Sequence, residues 1–160
     1  MDDAILDLLR RGSGLGLDGD CRWTHRGEAI THERTVAALN AGLSVRADGE
    51  VIVRIGSHWA YVQVEGTPYV VRNLRVVGDP SLPTAVELLL SDGTRELLDP
   101  ASLRLRGESA ACRVKGGAEA RLSRAAWHNL LPLLVPPDDP AGPVLLRLSG
   151  GDHPVAQAER

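Results

Sequence analysis

Aromatic residues and cysteine are scarce in this chain of 160 residues. It has no phenylalanine, and aromatic residues make up 3% of the sequence. Its two cysteines are too few for a disulfide framework or for a zinc site built mainly of thiolates. We therefore predict no metal centre, and no motif in the sequence indicates a cofactor.

An excess of positive charge and long apolar runs are also lacking. The 21 acidic residues outnumber the 18 lysines and arginines, so the net charge is −3. This balance excludes a strongly cationic coat for nucleic acid or membranes. No apolar run is long enough to span a bilayer. The first segment, MDDAILDLLRR, has its acids before its apolar stretch, the reverse of a secretory signal peptide. We therefore predict a cytoplasmic protein that does not associate with membranes.

The remaining composition is that of a globular protein, with 43% hydrophobic and 24% charged residues. In the first part of the chain, apolar spacing predicts a helix over 2–11, and glycine-rich residues 12–20 are interpreted as a linker. A hairpin is predicted to turn at Arg26–Gly27. Thr31 is predicted to cap a helix over 32–42.

The second part of the chain has a clear hairpin signal and one further helix. Asp92–Gly93 lies between apolar runs at 84–90 and 95–98, which favours a tight hairpin. A helix is predicted over 123–134, and Pro132 in its last turn is expected to shorten it. Further short strands are predicted at 51–55, 58–64, 69–77, 103–106, 110–115, 144–148 and 153–155.

Two segments of the sequence resemble one another. Cys21–Arg22 matches Cys112–Arg113, and Glu28–Ala29 matches Glu119–Ala120 at the same offset. Both segments are typical of a hairpin, a hydroxyl cap and then a helix. This agreement favours an internal duplication.

The predicted fold class is accordingly α+β, with two similar tandem halves. Each half is expected to be an antiparallel sheet with one helix packed on it. An N-terminal helix and linker occupy 1–16, the first half occupies 17–78 and the second half occupies 79–160.

Several motifs, taken together in their order along the chain, resemble a bacterial family known as domain of unknown function 1285. An Asp-Gly pair and a Trp-x-His-x-Gly-x-x-Ile pattern precede the helix predicted over 32–42; they fall on Asp18, Gly19, Trp23, His25, Gly27 and Ile30. A valine-rich strand leads into a second family motif, which falls on Thr67, Pro68, Tyr69 and Val70. The second-half motifs fall on Ala120, Arg121, Leu122, Arg124, Trp127, His128, Leu148, Ser149 and Gly151. The chain departs from the family pattern at Gly66, His128 and Leu148.

The resemblance implies a duplicated α+β fold whose C-terminal half is superficially similar to a pleckstrin-homology domain. The resemblance brings no established activity with it. It implies a binding site between the two halves for a nucleotide-like or nucleic-acid-like ligand, and a role in signal transduction.

The charge distribution gives a separate indication. The window 103–124 contains six basic residues and two acids, a net charge of +4. It ends at the start of the helix predicted over 123–134, and a helix N-terminus attracts anions. Arg121 and Arg124 flank the cap Ser123, as Arg26 and Arg34 flank Thr31.

We therefore predict a phosphate-bearing ligand between the halves, gripped by guanidinium groups and stacked on Trp23 or Trp127. The predicted ligand-binding residues are Trp23, Arg26, Arg34, Arg113, Arg121, Arg124, Trp127 and His128. The alternative is that the arginines of the basic window pair with the acids of 79–99 and that both tryptophans lie in the core.

These observations lead to three alternative hypotheses for the function. The first is a non-enzymatic binding or sensor module for an anionic, nucleotide-like small molecule. The second is a protein–protein interaction domain, which predicts an exposed apolar patch or an oligomer. The third is a hydrolase or transferase acting on a nucleotide-like substrate, with Cys112 and His128 as its nucleophile and base. Nucleic acid as the partner is disfavoured by the net negative charge.

Overall fold

The computed structural model describes residues 3–158. The chain divides into two compact units, Met1–Pro68 (unit 1) and Tyr69–Arg160 (unit 2). The sequence placed the boundary between 78 and 79, at the end of the first strand of unit 2. The predicted helix began at Asp2, which lies outside the described residues.

Over its described residues, 3–68, unit 1 contains two helices and seven short strands. The helices are α1 (Asp3–Arg11) and α2 (Glu33–Gly42). The strands are β1 (Leu15–Leu17), β2 (Trp23–His25), β3 (Glu28–Ala29), β4 (Leu43–Val45), β5 (Val51–Ile55), β6 (His58–Tyr61) and β7 (Gln63–Val64). They form one sheet of order β3-β2-β1-β7 and another of order β4-β5-β6.

The core of unit 1 lies between these elements. Alternation along β5 turns Val51 and Val53 inward, and α2 contributes Leu39. These side chains pack with Leu17, Trp23 and Val62. The other face of β5 and β6 carries Trp59 and Tyr61, and α1 lies against it.

Two local predictions in unit 1 are wrong. The predicted linker 12–20 contains β1, because Leu15 and Leu17 alternate around Gly16 and Leu17 is buried. The cap of α2 is His32 and not Thr31, because the His32 ring nitrogen accepts the backbone N–H of Thr35. The hairpin turn at Arg26–Gly27 is confirmed, with both residues at positive φ.

Between residues 69 and 158, unit 2 forms a nine-stranded sheet with one α-helix. Its strands are β8 (Tyr69–Asp79), β9 (Leu82–Leu90), β10 (Arg95–Leu97), β11 (Arg104–Arg106), β12 (Ser109–Val114), β13 (Ala118–Leu122), β14 (Leu134–Val135), β15 (Val144–Leu148) and β16 (Gly151–Gln157). Their order is β10-β9-β8-β13-β12-β11-β16-β15-β14. The Ser149 backbone N–H donates to the Pro83 carbonyl at 2.8 Å. Because Ser149 follows β15 and Pro83 lies in β9, the sheet curls back on itself.

The helix α3 (Arg124–Leu130) buries Ala126 and Leu130 in unit 2. A 3-10 turn over Leu131–Leu133 follows it, so the helix ends before Pro132 as the sequence indicated.

The predicted α+β class is confirmed. Most strand pairs are antiparallel, as expected, but β1–β7, β8–β13 and β11–β16 are parallel. The similarity of the two halves and the likeness of the second to a pleckstrin-homology domain stay predictions.

Candidate functional site

Most of the basic window folds into three neighbouring strands of unit 2, and the arginines of these strands share one outer face. Along β11, Arg104 and Arg106 are exposed, while Leu105 between them is 7% exposed and faces the core. The same alternation on β12 turns Arg113 outward and buries Cys112 and Val114.

Strand register brings these side chains together. Arg104 lies opposite Ala111, which lies opposite Arg121, and Arg113 lies opposite Glu119. Residues opposite one another in a sheet project from the same face. We call this surface the arginine face; it comprises Arg104, Arg106, Ala111, Arg113, Glu119 and Arg121. Arg104 and Arg113 are diagonal neighbours, a relation that typically separates positions by about 7–8 Å, within reach of long side chains.

The arginines of this face differ in their partners. Arg106 forms a salt bridge of 2.6 Å with Glu119. Arg113 donates one hydrogen bond to the Gly117 carbonyl at 2.8 Å. Within residues 3–158, the Arg104 guanidinium has neither a hydrogen-bond nor a salt-bridge partner. Arg104 and Arg113 therefore keep donors available to a ligand, since a guanidinium carries five N–H groups.

Two open grooves adjoin these side chains. The larger has a volume of about 480 Å³ and is lined by Glu96, Leu97, Asp99, Ala101, Ser102, Arg104, Arg113, Gly116 and Gly117. The smaller, about 180 Å³, is lined by Ser102, Arg104, Arg106, Ala111, Cys112, Arg113 and Glu119. The two grooves share three lining residues, Ser102, Arg104 and Arg113, so they are contiguous there.

The acids in the larger groove already accept hydrogen bonds from the backbone. Glu96 accepts the Lys115 N–H at 3.0 Å, and Asp99 accepts the Ala101 N–H at 3.1 Å. These bonds offset part of the negative charge beside Arg104 and Arg113.

Among the described residues, Arg104, Arg106 and Arg113 form no salt bridge with an acid of 79–99. Lys115, which also belongs to the window, contacts Asp92 at 2.8 Å. Burial raises the pKa of Asp92, but hydrogen bonds from Lys115 and Thr94 outweigh it and hold this pKa below its ordinary value.

The other residues predicted for the site in unit 2 lie on or beside α3. Ser123 caps the helix as predicted, accepting the Ala126 N–H at 3.1 Å. Arg124 and His128 are exposed, and Trp127 is half-buried. Arg121 lies on the arginine face, where register places it with Arg113 rather than with the side chains of α3.

The predicted role of Trp23 in stacking needs correction. Trp23 is 2% exposed, and its indole nitrogen donates to the Asn40 side chain at 2.7 Å. It packs in the core of unit 1, so neither face of its ring is available to a ligand. Arg34 is exposed in the first turn of α2, and Arg26 is exposed at the hairpin turn between β2 and β3.

Unit 1 has its own open groove, of about 730 Å³, which Arg26 helps to line. Gly16 also lines this groove, and it lies between Thr24 and Gln63 on the neighbouring strands. A Cβ atom at Gly16 would come within 2.9 Å of the Thr24 hydroxyl oxygen, so glycine keeps these strands close. Glu50 and Glu65 also line this groove, which favours an anion less than the arginine face does.

The Cys112 environment opposes nucleophilic catalysis. Its side chain is 2% exposed, and burial, followed by the nearby charge of Glu96, raises the pKa of the thiol to about 12. A nucleophilic cysteine needs the opposite shift and an accessible sulfur. The predicted partner, His128, is exposed on α3.

Between residues 3 and 158, no group of three His, Cys, Asp or Glu side chains is placed to hold a metal ion. No helix in that range has the length and apolar character needed to cross a membrane.

Arg104 and Arg106 are absent from the residues predicted for the site. Both belong to the basic window, and the Arg-Leu-Arg alternation of β11 was the signal that could have found them. The prediction is centred on the helix N-terminus and includes only Arg113 and Arg121 from these strands.

No protein-family model matches the sequence, and no curated protein matches it. Two solved structures do match. A DUF1285 family protein from Silicibacter pomeroyi DSS-3 has a TM-score of 0.72 and 18% identity, over 89% of this chain and 79% of that one. A DUF1285 family protein from Shewanella baltica OS155 has a TM-score of 0.60 and 20% identity, over 74% of this chain and 91% of that one. The chain resembles the DUF1285 family in its fold, as the sequence motifs predicted.

Proposed function

We propose that the protein is a non-enzymatic binding module whose ligand is a small phosphate-bearing anion held on the arginine face of unit 2. One observation supports this most directly. Arg104 and Arg113 project from the same face, have donors to spare, and line two contiguous grooves. The predicted location between the two halves stays a prediction.

Guanidinium chemistry favours phosphate as the anion. A guanidinium group presents paired N–H donors that match two oxygens of a phosphate. The Arg113 hydrogen bond to Gly117 restrains that side chain. Less conformational entropy is therefore lost when a ligand binds it.

The groove sets the size of the ligand. A volume of about 480 Å³ falls in the range of about 300–1,000 Å³ that is usual for small-molecule sites. A pyrophosphate bridging Arg104 and Arg113, with a nucleoside along Leu97 and Ala101, is the arrangement we favour. A sensor role in signal transduction is the broader function that such binding would serve.

Thermal shift with a panel of inorganic phosphate, pyrophosphate, mononucleotides and cyclic dinucleotides tests the proposal. A ligand at one hundred times its dissociation constant stabilises a protein by about 2.7 kcal/mol. For a chain of this size, the midpoint should then rise by roughly 5–11 °C. We expect at least one phosphate compound to produce such a shift.

The control variants locate the binding. Arg104→Glu and Arg113→Glu should each abolish the shift measured against the variant's own ligand-free midpoint. Arg54→Glu changes charge equally at an exposed strand position of unit 1 and should keep it. A flat panel, or equal shifts in all three variants, would contradict the proposal.

A further inference from the structure

We propose that the groove of unit 1 binds a short, extended peptide with free ends, its carboxyl end at Arg26 and its amino end at Glu65. The groove has a positive side chain at one end of β1 and a negative one at the other, with uncharged polar groups between them. It is built from residues of unit 1 alone, and the proposal does not depend on the arginine face.

The middle of the groove offers uncharged hydrogen-bonding groups. Gly16 of β1 lies opposite Thr24 of β2 on one side and Gln63 of β7 on the other. Residues opposite one another project from the same face, so these two side chains flank a glycine that has none. Among the described residues, neither side chain forms a hydrogen bond with another part of the protein. The Thr24 hydroxyl and the Gln63 amide can therefore each donate to a ligand and accept from it.

Arg26 provides the positive end of the groove. Its backbone N–H donates to the Gly14 carbonyl at 2.8 Å, so it lies beside the start of β1. The Arg26 Cγ atom is 2.8 Å from the position that a Cβ atom of Gly14 would occupy, so the glycine lets the arginine stem lie across it. Within residues 3–158 the Arg26 guanidinium has no hydrogen-bond or salt-bridge partner. It can therefore bind a carboxylate through paired N–H groups.

Glu65 provides the negative end of the groove. Its backbone N–H donates to the Leu17 carbonyl at 3.0 Å, so it lies beside the last residue of β1. Its Oε2 atom accepts the Gly19 N–H at 3.2 Å, which restrains the side chain and leaves Oε1 for an ammonium group. The other acid of the groove, Glu50, lies 3.5 Å from the Arg11 guanidinium, so part of its charge is already balanced.

The separation of the two ends sets the length of the ligand. Gly14 and Leu17, beside which the charged residues lie, are three positions apart. At about 3.3 Å per residue, this corresponds to about 10 Å along the strand. An extended tripeptide has the same length, about 10 Å. A free amino acid carries both charges on one carbon atom and is too short to reach both ends.

The charged ends also discriminate between classes of ligand. A phosphate at Arg26 would be repelled by Glu65 and Glu50, and a cation at Glu65 would be repelled by Arg26. A zwitterion with separated charges satisfies both ends. The groups between the ends match the N–H and C=O groups of a peptide, which need hydrogen-bond partners when they leave water. A peptide with free ends is therefore the ligand that fits the whole groove.

Titration of ¹⁵N-labelled protein with Ala-Ala-Ala tests the proposal. We expect saturable shifts of the backbone amides of Gly14, Gly16 and Gly27, which alanine alone should leave unchanged. Acetylating the amino end of the peptide, or amidating its carboxyl end, should raise the Kd by about threefold to fivefold, the size expected of one exposed charge pair. If Ala-Ala-Ala produces no saturable shift, or alanine binds equally well, the proposal is wrong.

Variants at the two ends test the orientation of the peptide. In Arg26→Gln, amidation of the peptide should no longer weaken binding, whereas acetylation should still do so. In Glu65→Gln, the two modifications should exchange their effects. Arg34→Gln removes a charge from α2 outside the groove and should bind as the wild type does. All three positions are exposed, so these substitutions should preserve the fold. Equal weakening by both modifications in both groove variants would overturn the proposal.

Discussion

Cys112 shows how burial sets the chemistry of a single residue. It projects from β12 into the core of unit 2, and its thiol pKa rises from the ordinary value of 9.0 to about 12. The folded state therefore keeps the proton that the unfolded chain loses at a lower pH. In this environment the side chain acts as a small hydrophobic group.

This shift predicts a pH dependence of stability. The contribution of Cys112 is fully present below about pH 9 and is lost as the pH rises toward about 12. We expect the free energy of unfolding of the wild type to fall more steeply above pH 9 than that of Cys112→Ala. Urea denaturation at several pH values between 8 and 10.5 measures both slopes. If the free energy of unfolding falls equally with pH in both proteins, the Cys112 thiol titrates alike in the folded and unfolded states.

Gly42 is the residue at which a single added carbon is expected to do most harm. It is the last residue of α2, and a Cβ atom there would overlap the backbone carbonyl oxygen of Arg54 on β5. Alanine favours a helix over glycine by about 1 kcal/mol, but forcing atoms into a packed site opposes folding by about 1–3 kcal/mol or more. Because the obstacle is backbone, the steric term should dominate.

We therefore expect Gly42→Ala to lower the free energy of unfolding by about 2 kcal/mol. Urea denaturation followed by circular dichroism measures this loss. Gly19→Ala is the matched control, because a Cβ atom there has nothing within 4 Å. If both variants unfold at the same urea concentration, the close approach of α2 and β5 is not as described.

At the scale of elements, α3 depends on the hydroxyl group of Ser123. This group accepts the Ala126 N–H at 3.1 Å and donates to the Arg72 carbonyl at 2.7 Å. It thereby caps the helix and ties it to β8. We expect Ser123→Ala to destabilise the protein by about 1–2 kcal/mol, since both bonds are lost. Chemical denaturation should show this loss, whereas Ser57→Ala, in an exposed turn, should leave stability within about 0.5 kcal/mol of the wild type.

Elements with strong local signals could be predicted from the sequence. The hairpins at Arg26–Gly27 and Asp92–Gly93 have glycine where positive φ is needed, and β5 is predicted with its observed bounds. Elements without such signals were missed. In β13 the buried positions include Ala118 and Ala120, whose small side chains give little hydrophobic alternation.

The candidate site could be predicted only in part. Residue charges alone showed that the chain has a basic window. Its grouping into one face depends on which residues lie opposite one another in β11, β12 and β13, and that register comes from long-range packing. The burial of Trp23 likewise depends on contacts with Leu39 and Val53, which are distant in sequence.

At the scale of the whole molecule, the distribution of charge matters more than its sum. The net charge of −3 disfavours a polyanionic partner, yet the window 103–124 concentrates positive charge on three strands of one sheet. Such a local field can attract a small anion while longer polyanions are repelled by the remaining acids. The charge distribution and the groove thus point to the same class of ligand.

Titration of ¹⁵N-labelled protein with pyrophosphate, followed by amide chemical shifts, tests the central claim most directly. The account predicts saturable shifts at Arg104, Arg113 and Gly117 that disappear in Arg104→Glu. Shifts confined to the unit 1 groove, around Gly16 and Arg26, would contradict it, as would a spectrum that pyrophosphate leaves unchanged.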